Sequence, residues 1–266
     1  MLPPTLPAAA RSRLSLTSFG VTDVGRKREH NEDAFKIAEE YELFVLADGM
    51  GGHASGEVAS NLTVNHVTDF FTRVCRAPDF VWPYPTPGLR TFEERAVSNS
   101  IQFANDRVFV ESMKDRRYDG MGTTICVLAG AGEHLVLGHV GDSRIYRFRA
   151  GKLEQLTEDH SLINLYRRTR NVSEEELQAF GKKNVIVRAV GLKDYVEPDL
   201  QVVDRVPGDI FLMCSDGLSE MVDDWIIREV IMGDRDNLEE IGKTLVRLAN
   251  QNGGKDNITV VLVRVL

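Results

Sequence analysis

Apolar runs that stop at glycine-containing turns recur along this chain of 266 residues. In one of them, residues 43–47 are all apolar, and the run ends at Asp48 and leads into a loop with three glycines at residues 49–52. A continuous apolar run bounded by glycines predicts a buried β-strand. Asp48 therefore lies where a core strand reaches the surface.

Runs of the same character predict further strands on both sides of this one. The strands that we predict cover residues 14–20, 34–38, 123–129, 134–140, 144–148, 153–156, 200–203, 209–213 and 257–266. Closely spaced glycines separate several of the strands between residues 122 and 156, which is typical of an antiparallel meander.

Apolar residues at helical spacing predict two pairs of helices. The first pair covers residues 57–74 and 92–114, and the second covers residues 225–232 and 238–250. Strands and helices do not alternate strictly, because a helix pair lies on either side of a group of strands. This order favours an α+β fold, with antiparallel sheets covered by helix pairs, over a doubly wound parallel sheet.

Three segments depart from the regular pattern. Residues 1–13 contain little that could be buried, which predicts a disordered leader ahead of one domain at residues 14–266. Residues 76–90 hold four prolines and three aromatic residues, which predicts an exposed loop that connects two helices or presents a docking site. Residues 160–199 are polar and poorly periodic, which predicts a mobile flap with a short helix that opens at Ser173.

Charge and cysteine content narrow the classes of function. The formal net charge of −8 argues against a nucleic-acid partner, which normally needs a basic face. The three cysteines are far apart, which is typical of reduced thiols in a cytosolic protein. No run is long and apolar enough for a signal peptide or a membrane span. We therefore expect a cytoplasmic protein without a membrane partner.

Aspartates mark the ends of four predicted strands. Asp48, Asp142 and Asp216 follow apolar runs, and Asp256 comes just before the last one. Each aspartate alone would be interpreted as a turn residue. If the strand ends converge, however, four carboxylates meet, and they cannot all stay ionised without a cation among them. Carboxylate and carbonyl oxygens suit magnesium or manganese rather than zinc or copper.

Short motifs surround these aspartates, at residues 28–33 (Arg-Glu-His-Asn-Glu-Asp), 141–144 (Gly-Asp-Ser-Arg), 214–217 (Cys-Ser-Asp-Gly) and 254–257 (Gly-Lys-Asp-Asn). In this order and spacing, the sequence from Phe19 to Leu266 resembles the metal-dependent serine/threonine protein phosphatases of type 2C, in the form found in bacteria. The resemblance implies a four-layer α-β-β-α sandwich, in which two central, mostly antiparallel sheets are flanked by helix pairs.

The resemblance also implies a set of metal ligands for two manganese or magnesium ions. Asp48 would bridge both ions, and Asp216 and Asp256 would hold the first. Glu32 and the backbone carbonyl of Gly49 would hold the second.

Further roles follow from the same motifs. Asp142 matches a position that holds a third metal in related bacterial enzymes, where the family often has another aspartate in place of Glu220. Asp33 would orient the ligand set, and Arg28 matches the phosphate clamp, a task that suits a planar guanidinium. Some members place a histidine, assigned as the leaving-group acid, where this chain has Met50, which cannot donate a proton.

The predicted function is therefore that of a protein phosphatase. We expect the chain to hydrolyse phosphoserine and phosphothreonine in proteins through a water that two or three metal ions activate. The bacterial resemblance implies that it opposes a serine/threonine kinase, and that the kinase itself could be a substrate. We also expect it to be a monomer.

Parts of the sequence also resemble the motifs of other functions. Residues 49–54 fit a dinucleotide-binding glycine motif, but Asp48 would place a charge beside the pyrophosphate. Cys214 lacks the arginine that a cysteine phosphatase needs, and the motif at residues 141–145 departs from the serine-hydrolase pattern. A catalytically inactive phosphoprotein-binding module of the same fold remains as the alternative.

Overall fold

The computed structural model of the protein describes residues 14–51, 55–77, 79–169 and 185–266. The predicted leader at residues 1–13 lies outside these described residues. So does the helix predicted from Ser173.

The described strands form two antiparallel sheets. They are β1 (Leu16–Asp23), β2 (Asp33–Ala38), β3 (Leu43–Met50), β4 (Gly122–Thr123), β5 (Ile125–Ala131), β6 (His134–Val140), β7 (Arg144–Arg149), β8 (Lys152–Gln155), β9 (Asp199–Asp204), β10 (Ile210–Cys214) and β11 (Ile258–Val265). The first sheet has the order β1-β11-β10-β7-β8, and the second has the order β2-β3-β5-β6-β9 with β4 beside β3.

Helices cover the outer face of each sheet. The helices are α1 (Ser55–Cys75), α2 (Phe92–Ser112), α3 (Leu162–Thr169), α4 (Asp216–Ser219), α5 (Asp224–Gly233) and α6 (Leu238–Gln251). One apolar cluster joins α1 and α2 to the second sheet, and another joins α4, α5 and α6 to the first. The predicted α+β fold and four-layer sandwich are therefore confirmed.

Strand β3 shows why its sequence is apolar without interruption. Phe44 and Leu46 belong to the cluster between the two sheets, where they join Phe211 of β10. Val45 and Ala47 alternate with them and face helices α1 and α2. Both faces of the strand are thus buried, and the run reaches solvent only where it ends, beside Asp48.

The proline-rich loop agrees with the prediction only in part. Phe80 packs edge-on against Phe70 of α1, and Trp82 packs against Phe80 and Phe92, with ring centroids between 5.5 and 5.6 Å apart. The prediction of an exposed loop is confirmed for Val81 and the prolines at residues 83, 85 and 87, but Phe80 and Trp82 are partly buried because they cluster with helix residues. Val81, between the two rings, is exposed, at 86%.

Two helices were not predicted. Helix α3 lies in the segment interpreted as a flap, and the short helix α4 follows β10. All three cysteines are buried and free, as predicted. Within the described residues, no helix combines the length and the apolar character that a bilayer span requires.

Candidate metal centre

Two aspartates face each other at the open end of the second sheet. Asp33 of β2 is the register partner of Asp48 of β3. Two hydroxyls donate to Asp33 Oδ2, from Ser215 at 2.7 Å and from Thr259 at 2.6 Å. Both donors belong to the first sheet or its loop, so Asp33 joins the two sheets at this end. Like charges on directly opposite residues repel, which makes the pair unfavourable by itself.

The other aspartates at the strand ends crowd the same pair. Burial raises the pKa of Asp48 well above its ordinary value, and the charges of Asp33, Asp216, Asp142 and Asp256 raise it further. Burial likewise raises the pKa of Asp216, with Asp142 and Asp256 as the next causes. The structure therefore brings together the four aspartates whose convergence the strand pattern suggested.

Glu32 lies against a pair of glycines beside this cluster. Its carbonyl oxygen accepts a hydrogen bond of 3.0 Å from the N–H of Gly49. A Cβ at Gly49 would lie 2.1 Å from the Gly56 carbonyl oxygen, and one at Gly56 would lie 2.6 Å from Glu32 Oε1. Only glycine fits at both positions, so the backbone of Gly49 and the carboxylate of Glu32 lie next to each other.

Asn257 fixes the loop that carries Glu32. Its Oδ1 accepts from the Glu32 N–H at 2.8 Å, and its Nδ2 donates to the carbonyls of Val24 and His30 at 2.9 Å each. The last strand thereby holds the motif at residues 28–33 in place.

Asp142 lies at the edge of the cluster, beside a cavity. Burial, followed by the charge of Asp159, raises the pKa of Asp142 to about 6. Its Oδ1 atom is buried without a hydrogen-bond partner. The cavity has a volume of about 360 Å³ and is lined by Asp142, Asp216 and Glu220 on one side and by Arg144, Asp159 and Asn164 on the other.

Arg28 reaches the cluster from a more exposed position. Its Nη2 donates to Asp256 Oδ2 at 2.6 Å, and 48% of its side chain is exposed. It is therefore not a solvated charge of the basic turn, since it touches one of the predicted ligands.

The residues present fit a hard divalent cation. The donors are carboxylate and carbonyl oxygens, and the buried Oδ1 atoms of Asp33 and Asp142 have no hydrogen-bond partner. Among the described residues, no three or more His, Cys, Asp or Glu side chains form a ready-made metal cluster. Magnesium and manganese keep several water ligands, so they can be held by fewer direct carboxylates.

Side-chain hydroxyl groups support the strands that carry the predicted ligands. Thr124 Oγ1 accepts from the Asp48 N–H at 3.0 Å and lies 2.7 Å from Ser143 Oγ. Thr123 Oγ1 donates to the Asp48 carbonyl at 2.8 Å. The roles of Ser215 and Thr259 at Asp33 were missed. The only sign of these roles in the sequence was closeness to the motifs. Ser215 directly precedes Asp216, and Thr259 lies two residues after Asn257.

The chain is similar in sequence to known proteins. Residues 24–262 match the family described as Protein phosphatase 2C. The chain is 37% identical over 246 residues to the serine/threonine phosphatase Stp of Listeria monocytogenes, a match that covers 91% of this chain and 93% of that protein. It is 36% identical over 248 residues to the protein phosphatase PhpP of Streptococcus pneumoniae, covering 91% and 95%.

A solved structure is similar over nearly the whole chain. It is the catalytic domain of the serine/threonine protein phosphatase PstP in complex with two manganese ions. The TM-score is 0.78 at 32% identity, and the match covers 95% of this chain and 99% of that one.

Proposed function

The chain belongs to the protein phosphatase 2C family, and on that basis we propose that the carboxylates at the strand ends are its catalytic metal centre. The protein is a metal-dependent serine/threonine phosphatase, and its cofactor is manganese or magnesium. One observation carries the assignment of the centre: burial and the charges of neighbouring carboxylates raise the pKa of both Asp48 and Asp216. Such a cluster is unfavourable without a cation and marks a functional site.

Each ligand has a proposed place in the centre. Asp48 would contact both of two ions, Asp216 and Asp256 would hold the first, and Glu32 with the carbonyl of Gly49 would hold the second. The hydrogen bond from Gly49 to Glu32 and the glycine pair beside them support the second assignment. A third ion would bind at Asp142, whose Oδ1 has no hydrogen-bond partner and which shares a cavity with Asp216 and Glu220.

When bound, the ions would supply an activated water nucleophile and neutralise the phosphoryl oxygens. The protein's own side chains do the positioning. Arg28 can turn its planar guanidinium from Asp256 towards the phosphoryl group and donate two parallel hydrogen bonds. Asp33, held by Ser215 and Thr259, keeps the neighbouring Asp48 in orientation. Met50 cannot protonate the leaving serine or threonine, so that proton comes from water or from another group.

The test is phosphate release from a phosphothreonine peptide. We would compare the intact protein with Asp216→Ala, each with manganese and after treatment with a chelator. Manganese-dependent release that is lost in the variant supports the proposed centre. Equal release by a folded variant would contradict it.

The alternative function is an inactive module that binds phosphoproteins. The presence of every predicted ligand speaks against it, because a binding module does not need a complete metal centre. A manganese titration separates the two, since the module would bind weakly or at one site. Absence of turnover with any divalent metal, in a protein shown to be folded, would favour the module.

The physiological setting is also a proposal. We infer that phosphorylated proteins are the substrates and that the enzyme opposes a bacterial serine/threonine kinase, which could itself be dephosphorylated. We further propose a cytoplasmic monomer in which residues 14–266 are one domain. Light scattering would test the monomer, and dephosphorylation of the kinase encoded in the same organism would test the partner.

A further inference from the structure

Two buried histidines that no motif pointed to lie beside Asp142. His139 on β6 is 2% exposed, and His160, just before α3, is 7% exposed. Their ring centroids are 4.7 Å apart. The two side chains contact the backbone on either side of Asp142.

His160 binds both polar backbone groups of Gly141. The Gly141 N–H donates to His160 Nδ1 at 3.0 Å, and the His160 N–H donates to the Gly141 carbonyl at 2.7 Å. Gly141 has a φ of +110°, and a Cβ there would lie 2.6 Å from Thr124. The residue before Asp142 is thus held in a conformation that only glycine adopts without strain.

His139 contacts the residue that follows Asp142. Its Nε2 lies 2.9 Å from the carbonyl oxygen of Ser143. A carbonyl can only accept, so this nitrogen carries the proton. Burial and the neighbouring His160 ring lower the pKa of His139 to about 3, which keeps the ring neutral.

The hydrogen-bond partners also determine the tautomer of His160. Because its Nδ1 accepts from Gly141, the proton of the neutral ring lies on Nε2. Nε2 is 3.2 Å from Asp199 Oδ2, and Arg188 Nη1 is 2.5 Å from Asp199 Oδ1. Asp199 therefore accepts from Nε2 while Nδ1 binds Gly141. A carboxylate on the second ring nitrogen orients many functional histidines in this way.

Asp142 depends on neighbouring residues for its orientation, because one of its own carboxylate oxygens makes no hydrogen bond. Its Oδ1 atom is buried without a hydrogen-bond partner. The direction of the carboxylate is thus set by the backbone of residues 141–143, which the two histidines hold.

We propose that His139 and His160 are positioning residues that aim the Asp142 carboxylate at the metal centre, with Asp199 selecting the required tautomer of His160. This inference rests on the proposed function, in which Asp142 is a metal ligand. It assigns the histidine pair to metal affinity at that ligand, and not to contact with substrate.

A matched pair of variants separates the two ring nitrogens. In His160→Asn, the amide oxygen can occupy the place of Nδ1 and accept from Gly141. In His160→Gln, the amide nitrogen can occupy the place of Nε2 and donate to Asp199, but the acceptor for Gly141 is lost. Both variants keep the backbone hydrogen bond to the Gly141 carbonyl.

The measurement is a manganese titration of the full chain, by electron paramagnetic resonance of the free ion. Asp142→Asn identifies the binding step that depends on Asp142. We expect His160→Gln to weaken that step by about 10–100-fold, the usual effect of losing a group that orients a ligand, and His160→Asn to weaken it much less. Asp199→Ala, which removes the acceptor, should weaken it as well and shift the histidine ¹⁵N resonances of the metal-free protein towards the other tautomer.

The melting temperature of the metal-free variants controls for folding. Wild-type affinity in a folded His160→Gln would overturn the inference. Equal weakening in the Asn and Gln variants together with equal losses of melting temperature would also overturn it, because it would show a purely structural role. Failure of the proposed function looks different, since the intact protein and Asp142→Asn would then bind manganese identically.

Discussion

Acidic side chains gather at both ends of the sandwich, and the two ends differ in what neutralises them. Strand β10 runs between them, with Asp209 just before its first residue and Asp216 beyond its last. Around Asp209, which is 1% exposed, Arg149 donates from Nε at 2.7 Å and from Nη2 at 2.6 Å. Arg149 also binds Asp204, at 2.8 Å. We call Arg149, Asp204 and Asp209 the arginine end.

The opposite end has no comparable compensation among the described residues. We call Glu32, Asp33, Asp48, Asp142, Asp216 and Asp256 the carboxylate end. Arg28 binds Asp256 there, from a half-exposed position. Arg144 is also near, but its guanidinium is bound to Asp159. Burial, together with the charges of the neighbouring carboxylates, instead raises the pKa of Asp48 and of Asp216.

The contrast separates acids that serve folding from acids that serve binding. A buried carboxylate with a bidentate arginine is satisfied within the chain, and removing one partner leaves an unpaired charge. A cluster of carboxylates without cations destabilises the metal-free fold and gains its free energy only from a bound ion. Substitutions at the two ends should therefore have opposite effects on activity and stability.

The largest effect on activity is expected at the carboxylate end. Asp48→Asn keeps the shape of the side chain but removes the charge that would contact both ions. We expect phosphate release to fall by about 10²–10³-fold, as when one essential electrostatic group is lost. The melting temperature of the metal-free protein should rise, because repulsion with Asp33 and Asp216 is relieved. Retained activity, or a large loss of stability, would contradict the contrast.

The largest effect on stability is expected at the arginine end. Arg149→Met leaves Asp209 buried without its bidentate partner, which should cost about 3 kcal/mol of unfolding free energy in urea. The turnover number per folded molecule should not change. Adding Asp209→Asn should recover part of the loss, because the unpaired charge is then removed. A drop in turnover number with unchanged stability would break the assignment of this end to folding.

The pH dependence of the metal-free protein should show the same repulsion. Burial raises the pKa of Asp33 and of Asp142 from 3.8 to about 6. A carboxyl group with a higher pKa in the folded chain binds more protons when folded, so its contribution to stability falls as pH rises between the two values. The contribution is present below pH about 4 and is lost above about 6.

Urea unfolding across this pH range, in the presence of a chelator, measures the effect. The comparison with Asp142→Asn isolates one group, since acids elsewhere titrate equally in both proteins. The variant should lose about 3 kcal/mol less stability than the intact protein as pH rises through the window. Manganese should reverse the fall in the intact protein. Parallel pH profiles for the two metal-free proteins would count against repulsion at Asp142.

Much of the carboxylate end could be predicted from local patterns. The continuous run before Asp48 marks a strand buried on both faces, and each of Asp142 and Asp216 follows a similar run. A polar residue at the end of a predicted strand indicates the edge of a sheet, but the pattern does not show to which sheet the strand belongs. The family resemblance implied that these edges belong to two sheets that meet. Periodicity did not show it.

What the sequence did not reveal depends on contacts between distant residues. Ser215 and Thr259 meet Asp33 across 182 and 226 positions of the chain, so no spacing rule connects them. Phe80 and Trp82 looked exposed among prolines, because Phe70 and Phe92, which bury them, lie on helices α1 and α2. Helix α3 was missed because the segment around it is polar and poorly periodic.

The smallest predicted effect concerns Arg28, the half-exposed cation at the carboxylate end. Arg28→Lys keeps the positive charge but loses the planar pair of donors, so it tests geometry apart from charge. We expect KM for a phosphothreonine peptide to rise about tenfold, the loss of one hydrogen bond to a charged group, while kcat changes less. Lys27→Met is the matched control, because it removes an exposed charge one residue away and should leave KM nearly unchanged. If the control raises KM as much as Arg28→Lys does, general attraction to the substrate explains both, and the contact with Asp256 does not mark a phosphoryl-binding residue.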